Sequence, residues 1–147
     1  MPIRKIVNED LKQCAGILES AYEEKPYFEK FEEGNALKYI EEKFKSCAED
    51  SFVICQDSEI LGFVFWTISC WTDGPQAVLE EIVIDNNHQG KGLGKQLIEH
   101  SDQYLLEKGI KSIMLWAINS PKVMGFHERN GFEKSDEFCV MFKNIEK

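Results

Sequence analysis

The sequence predicts a single α/β domain that spans residues 1–147. Apolar residues recur at spacings of three and four in segments of helical length, which is the period of a helix with one buried face. Short runs rich in β-branched residues lie between those segments, and two of them flank the turn at 57–59, as in a β-hairpin. A chain of 147 residues also has the length that suits one hydrophobic core.

The first half of the chain is predicted to contain a strand, two helices and three further strands. These elements are a strand in IRKIV, helices over about 10–22 and 35–47, and strands over 52–55, 60–69 and 77–84. Pro26 separates the two helices, because proline cannot continue a helix interior. Leu37, Ile40 and Phe44 share one face of the second helix.

The second half is predicted to begin with a helix and to end with short strands. Its elements are a helix that follows a glycine-rich segment and ends at Gly109, a strand over 112–118, a helix over 121–129, and two short strands in FEKSD and FCVMFK. The run SIMLWAI at 112–118 is nearly all apolar, which is typical of a strand buried on both faces.

Charge and composition argue against several kinds of partner and site. The net charge of −9 disfavours a nucleic acid or an anionic membrane, and it suits a cationic small molecule or solubility alone. No apolar run is long enough to span a membrane, and MPIRKIVNED lacks the apolar core of a secretory signal, so a cytoplasmic location is predicted. The five cysteines and three histidines show no C-x-x-C or H-x-x-x-H spacing, so neither a disulfide framework nor a metal site is expected.

The segment IVIDNNHQGKGLGKQLIEH places a glycine-rich loop between a strand and a helix. The first amides of a helix have no intrahelical partner and its dipole favours negative charge there, so this arrangement predicts a phosphate site. Gly90, Gly92 and Gly94 let a phosphate approach the backbone, and Lys91 and Lys95 add positive charge. The spacing G-x-G-x-G matches neither the Walker pattern nor the dinucleotide pattern.

The stretch Gln89-Gly90-Lys91-Gly92-Leu93-Gly94 resembles the acyl-CoA pyrophosphate loop of the GNAT superfamily of N-acetyltransferases. The longer stretches VLEEIVIDNNHQGKGLGKQL and AINSPKVMGFHERNGFEK resemble two consecutive motifs of that family, and the order of elements agrees as well. The resemblance implies a mixed, mostly antiparallel sheet that is splayed between strands four and five and flanked by helices. It also implies acetyl-CoA as cosubstrate, no metal, and compatibility with a homodimer.

The resemblance assigns the cofactor site residue by residue. The residues are Ile82, Val83 and Ile84 for the pantetheine arm, Gln89, Gly90, Lys91, Gly92, Leu93, Gly94 and Lys95 for the pyrophosphate, and Asn119 after strand five. Ser120 is the alternative to Asn119, because the segment that leads to Phe126-His127 is one residue longer than usual in the family.

Acetyl transfer to an amine requires the neutral amine, so a base near the acceptor is useful. Glu80 and Glu81 are adjacent carboxylates in an apolar strand, and adjacent strand residues point to opposite faces, so at most one is expected on a given side. The residues alone do not choose between them. Similarity to diamine acetyltransferases implies Glu80 as base and Glu81 as substrate ligand, and the alternative is that both only bond within the sheet. His127 stands where the family has a tyrosine acid, and it either keeps that role or only packs.

The acceptor site implied by the family combines aromatic and acidic side chains, which suit an ammonium. Besides Glu81, the candidates are Tyr22, Glu23, Glu24, Tyr27, Phe28, Glu29, Glu32, Glu33, Trp66, Trp71 and Asp73. Of these, the predicted acceptor ligands are Tyr27, Trp66, Trp71 and Asp73. The predicted function is transfer of an acetyl group from acetyl-CoA to a primary amine of a small molecule. The alternatives are a transferase that acts on a protein N-terminus or lysine, and a non-catalytic module that binds CoA.

Overall fold

The computed structural model describes residues 1–146, which form two compact units. The strands are β1 (Ile3–Lys5), β2 (Phe52–Gln56), β3 (Glu59–Trp71), β4 (Gly74–Ile84) and β5 (Ile113–Met114), and the helices are α1 (Leu11–Glu23), α2 (Asn35–Cys47), α3 (Leu93–Glu107) and α4 (Pro121–Arg129). The first unit, Met1–Leu115, holds these strands and α1 to α3, and the second begins at Trp116 and holds α4. The single domain over 1–147 stays a prediction.

The sheet is mixed and mostly antiparallel, as predicted. Its order is β1-β2-β3-β4-β5, with antiparallel pairing up to β4 and parallel pairing of β4 with β5. The parallel pairing joins Ala77 to Ile113 and Val78 to Met114. Within residues 1–146, β4 therefore has no strand partner on this side from Leu79 to Ile84, and the sheet is open here.

Helices cover both faces of the sheet in the first unit. Leu18 of α1 and Ile40 of α2 are buried on the face that carries Phe65. On the other face, the indole Nε1 of Trp66 donates to Ser101 Oγ of α3 at 2.9 Å. Burying each large apolar side chain stabilises the fold by about 1.5–3 kcal/mol, so the two layers hold the sheet on both sides.

The end of the chain differs from the prediction. β5 covers two residues instead of 112–118, and it lies at the edge of the sheet rather than in a doubly buried position. Trp116 of the predicted strand is 72% exposed, and the two final strands do not form, with Phe142 90% exposed. A strand is held by hydrogen bonds to a neighbouring strand, and no described strand of the sheet pairs with these residues.

Among residues 1–146 no helix has the length and apolar character that crossing a membrane requires. The same residues contain no group of three His, Cys, Asp or Glu side chains that could hold a metal ion. Cys14, Cys47 and Cys55 are buried free thiols, whereas Cys70 and Cys139 are exposed.

Candidate active site

Glu80 and Glu81 lie at an irregularity in the pairing of β4 with β3. Phe65 pairs with Glu81 and Trp66 pairs with Leu79, so Glu80 is an extra residue on β4. This is the arrangement of a β-bulge, which locally breaks the alternation of side chains between the two faces.

Both carboxylates reach the same helix as a result of this bulge. Tyr39 of α2 donates its hydroxyl to Glu81 Oε1 at 2.9 Å, and Lys43 of α2 donates from Nζ to Glu80 Oε1 at 2.8 Å. Tyr39 and Lys43 are four residues apart and therefore neighbours on one helix face. The prediction that at most one of the two carboxylates points to a given side is wrong, because it assumed a regular strand.

Glu81 is half-buried, and two tyrosines hold its carboxylate. The hydroxyl of Tyr22 on α1 donates to Oε2 at 2.8 Å, so each carboxylate oxygen of Glu81 accepts one tyrosine hydroxyl. Burial raises the pKa of the Glu81 carboxyl, and the hydroxyls of Tyr22 and Tyr39, which stabilise the ionised form, oppose that rise. Burial and the neighbouring Glu81 also raise the pKa of both tyrosines, so they stay protonated and act as donors.

Glu80 has a different environment, because its charge is compensated. Its Oε1 accepts from Lys43, and its Oε2 accepts from the hydroxyl of Thr67 at 3.3 Å. The Lys43 ammonium also lies over the ring of Tyr39, 5.4 Å from the centroid. The two neighbouring carboxylates therefore differ: Glu80 is in an ion pair, and Glu81 is bound only by neutral hydroxyls.

An aromatic cluster stands beside Glu81, at the end of α1. Tyr22 stacks on Tyr27 with ring centroids 4.2 Å apart, and it meets Phe31 edge-on at 5.9 Å. Of the predicted acceptor ligands, Tyr27 is therefore placed one ring away from the Glu81 carboxylate.

The structure separates three other predicted acceptor ligands from this cluster. Trp66 is fully buried and bonded to α3, so no surface remains for an acceptor. Trp71 and Asp73 are exposed at the β3–β4 turn, whose residue Gly74 is seven positions from Glu81 along β4. At a rise of about 3.3 Å per residue this distance is roughly 20 Å. The prediction failed because β3 and β4 are longer than the sequence pattern indicated.

Two residues of the glycine loop adopt a backbone conformation that glycine favours. Gly90 and Gly92 have φ values of 77° and 81°, in the left-handed region that glycine adopts without strain. Gly92 is the N-cap residue of α3, and Gly94 is buried in the first turn of that helix. The unpartnered first amides of α3 therefore follow directly on an open loop.

Charged and amide side chains surround this loop. Lys91 is exposed, and Lys95 lies 3.7 Å from Glu99 in an exposed pair. Gln89 donates from Nε2 to the carbonyl oxygen of Ile84 at 3.0 Å, which ties the loop to the end of β4. Leu93 is buried, so it can offer a ligand only its backbone.

Val83 is buried in the core, and Ile82 and Ile84 are half-buried. All three belong to the part of β4 that has no strand partner on the β5 side within 1–146. Because that edge is open, its backbone groups are available to an amide-containing ligand.

The second unit holds the remaining predicted residues. Asn119 is exposed, and Ser120 is the N-cap of α4, with its Oγ accepting from the Val123 amide at 3.4 Å. His127 is 7% exposed and meets the rings of Phe126 and Phe132 edge-on. Its Nδ1 is buried without a hydrogen-bond partner among the described residues, and burial lowers the pKa of the imidazole, which favours the neutral form.

The family of the chain follows from its sequence as a whole. The model of the acetyltransferase (GNAT) family matches residues 12–132. The chain belongs to the GNAT acetyltransferase family. The predicted family and the fold that it implies are confirmed.

Individual proteins resemble the chain over most of its length. It is 26% identical over 145 residues to an uncharacterized N-acetyltransferase of Methanocaldococcus jannaschii, which covers 91% of this chain and 61% of that protein. An aminoglycoside acetyltransferase from an uncultured soil metagenomic sample, in complex with sisomicin, superposes with a TM-score of 0.74 at 18% identity, covering 99% and 96% of the two chains. AAC(6')-Iy, in complex with a bisubstrate CoA analog, superposes on this chain with a TM-score of 0.72 at 20% identity, covering 98% of each chain.

These comparisons have two bounds. The two solved structures are under 25% identical to this chain, so they show the shared fold. The chain spans less than two thirds of the length of the curated relatives that it matches first.

Sequence reasoning missed Tyr39 and Lys43 of α2. Tyr22 was among the aromatic candidates, but nothing marked Tyr39 or Lys43. The available signal was their spacing of four residues beside the apolar face of α2, which is the spacing that presents two side chains to a pair of adjacent carboxylates.

Proposed function

We propose that this chain is an acetyl-CoA-dependent N-acetyltransferase that acetylates a primary amine of a small molecule. The observation that carries the proposal is the half-buried Glu81, whose carboxylate is held by Tyr22 and Tyr39 in the second half of β4. It lies on the segment of β4 from Leu79 to Ile84, which has no strand partner on the β5 side within residues 1–146.

Acetyl-CoA would occupy the loop and the open edge of β4. Its pyrophosphate would meet the backbone of 89–95, where a Cβ atom at Gly90 or Gly92 would have no atom within 4 Å, so the space is free. The amides of the pantetheine arm would bond to the backbone of Ile82 to Ile84. An arm that runs along β4 from the loop brings its thioester end towards Glu81. Asn119 stays a further candidate contact of the arm.

The acceptor amine has to lose a proton before it attacks. An alkylammonium has a pKa of about 10.4, so neutralising it at pH 7 costs roughly 4–5 kcal/mol. Glu81 is the better proton acceptor, because burial raises the pKa of its carboxyl, whereas Glu80 is engaged by the Lys43 ammonium. This reverses the roles that resemblance implied for the two residues.

In the reaction, the neutral amine forms a bond to the thioester carbonyl carbon and the carbon–sulfur bond breaks. The attacking nitrogen then loses one proton to become the amide, and the CoA thiolate takes one proton. A thiolate with a pKa of about 8.5, the cysteine value, needs little help at neutral pH. His127 is the candidate donor, but the lowered pKa of its buried ring makes the cationic form scarce at pH 7. Its contribution is therefore expected to be small.

Two features support a small amine as the acceptor. Tyr22, Tyr27 and Phe31 place aromatic rings beside the Glu81 carboxylate, and this combination binds ammonium groups. The superposed structures are described as an aminoglycoside acetyltransferase with sisomicin and as AAC(6')-Iy with a bisubstrate CoA analog of acetylneamine, which supports a small-molecule acceptor here.

The test is release of CoA from acetyl-CoA in the presence of a pooled library of small amines, with N-terminal and lysine peptides as a second pool. Acetylation confined to small amines supports the proposal, and acetylation of peptides alone replaces it with the protein-acceptor function. Binding of acetyl-CoA without transfer to either pool would leave a CoA-binding module. Calorimetry with acetyl-CoA on the same preparation separates this last outcome from an unfolded or inactive sample.

A further inference from the structure

An ammonium group is already bound inside the proposed acceptor site, and it belongs to the protein. Lys43 Nζ lies 2.8 Å from Glu80 Oε1 and 5.4 Å from the centroid of the Tyr39 ring. The side chains of Lys43 and Glu80 are only 26% and 23% exposed, so solvent screens the pair less than it would screen a surface pair. Lys43 is thus held by a carboxylate and an aromatic ring, as an ammonium acceptor would be.

The charges of the site leave one carboxylate uncompensated. Glu80 and Glu81 carry the negative charges and Lys43 carries a positive one. The direct partners of the Glu81 oxygens, Tyr22 and Tyr39, are neutral hydroxyls. One incoming ammonium can therefore be matched at Glu81, whereas a second one would meet Glu80 already paired and would be repelled by Lys43.

We infer that Lys43 is a specificity-determining residue, which restricts the site to acceptors that present a single ammonium at this point. Removal of Lys43 would free Glu80 as a second ammonium subsite beside Glu81. The inference rests on the proposed function, since it concerns the acceptor of the same reaction. It narrows the acceptor class to amines that place no second positive charge at Glu80 when their reacting amine lies at Glu81.

The experiment compares monoamines with diamines of equal chain length. Initial rates of CoA release give kcat and KM for butylamine and 1,4-diaminobutane, and for propylamine and 1,3-diaminopropane, at saturating acetyl-CoA. The variants are Lys43→Met, which keeps an unbranched side chain that is one atom shorter and has no charge, and Lys45→Met, the matched control at an exposed lysine of α2. Lys43→Arg keeps the charge and is the second control.

The expected result is a rise of about tenfold in the diamine-to-monoamine ratio of kcat/KM in Lys43→Met, the size expected for one half-buried charge pair. The rise in the ratio should come from a lower KM for the diamines, and the rise should be smaller at high salt. Lys45→Met and Lys43→Arg should keep the wild-type ratio.

An unchanged ratio in a Lys43→Met protein that binds acetyl-CoA and acetylates monoamines overturns the inference and leaves the proposed function intact. A wild-type enzyme that prefers the diamines by more than the factor of two expected from their two amino groups also overturns it. If Lys43→Met does not fold, as judged by circular dichroism, Lys43→Gln replaces it with the same expected rise. Failure of the wild type to bind acetyl-CoA removes the proposed function, and this inference with it.

Discussion

The assignment of the base to Glu81 predicts different effects for two neighbouring substitutions. Glu81→Gln removes the proton acceptor but keeps the size of the side chain, and its amide oxygen can still accept the hydroxyl of Tyr22 or Tyr39. Loss of general-base assistance is expected to lower kcat/KM by about 10²–10³-fold at pH 7. Glu80→Gln removes the charge that pairs with Lys43 but leaves the proposed base in place, and it is expected to lower kcat/KM by less than about tenfold.

The pH dependence adds a second signature. Below its pKa of about 10.4, an alkylamine gains about tenfold in free base for each pH unit. The rate of Glu81→Gln should therefore rise steeply between pH 7 and 9, and its deficit against the wild type should narrow. The assay is CoA release at saturating acetyl-CoA over pH 6–9.5, with acetyl-CoA affinity measured by calorimetry as the control. A larger loss in Glu80→Gln than in Glu81→Gln would refute the reasoning and restore the roles implied by resemblance.

Stability provides an independent check on Glu81. Its pKa in the folded protein is raised above the ordinary value of 4.5 by burial. The stability that this group contributes is thus fully present below the unfolded pKa, and it is lost as the pH rises through the folded pKa. At pH 7–8, Glu81→Gln is therefore expected to have a Tm equal to or above that of the wild type, by differential scanning calorimetry. A Tm lowered by several degrees would show that the carboxylate stabilises the fold.

Three further predictions concern the loop, the tyrosines and the histidine. Gly92→Asp should weaken acetyl-CoA binding more than about 100-fold in calorimetry. Gly92→Asn, which has the same size but is neutral, should weaken the binding less. Equal losses of affinity in the two variants would show that charge plays no part. Tyr39→Phe removes a hydrogen-bond donor that lowers the pKa of Glu81, so the acidic limb of the pH profile of kcat/KM should move to higher pH. An acidic limb at the wild-type position would contradict the role of Glu81. His127→Phe should change kcat/KM less than about threefold at pH 8, because the imidazole of His127 is neutral at that pH. A loss of about tenfold would show that His127 donates a proton or a hydrogen bond in the reaction.

Local features of the chain were predictable because their causes are local. Helix α2 spans the predicted residues 35–47, and α4 spans the predicted 121–129. Apolar spacing and proline or asparagine–glycine boundaries determine such segments without reference to distant residues. The positive φ values of Gly90 and Gly92 were predictable for the same reason, since only glycine adopts them readily.

Features that depend on pairing were not predictable in this way. A strand pattern of apolar residues at 112–118 gave a two-residue β5, because a strand extends only as far as a neighbour binds its backbone. The length of the β3–β4 hairpin likewise separates Trp71 and Asp73 from Glu81. Cys70 and Cys139 are exposed although most free cysteines are buried, which again depends on what packs against them.

The sequence by itself determined the order of the helices and strands as far as α4, the glycine loop before α3 and the two adjacent carboxylates of β4, since these follow from residue type and short-range spacing. Only the tertiary structure decided how the carboxylates act. A bulge between Phe65 and Trp66 on β3 and Glu80 on β4 turns both carboxylates to α2, where one meets an ammonium and the other meets hydroxyls. A bulge is a property of two paired strands, and the partners on α2 are about 40 residues away in the chain, so neither is encoded in the local pattern around Glu81.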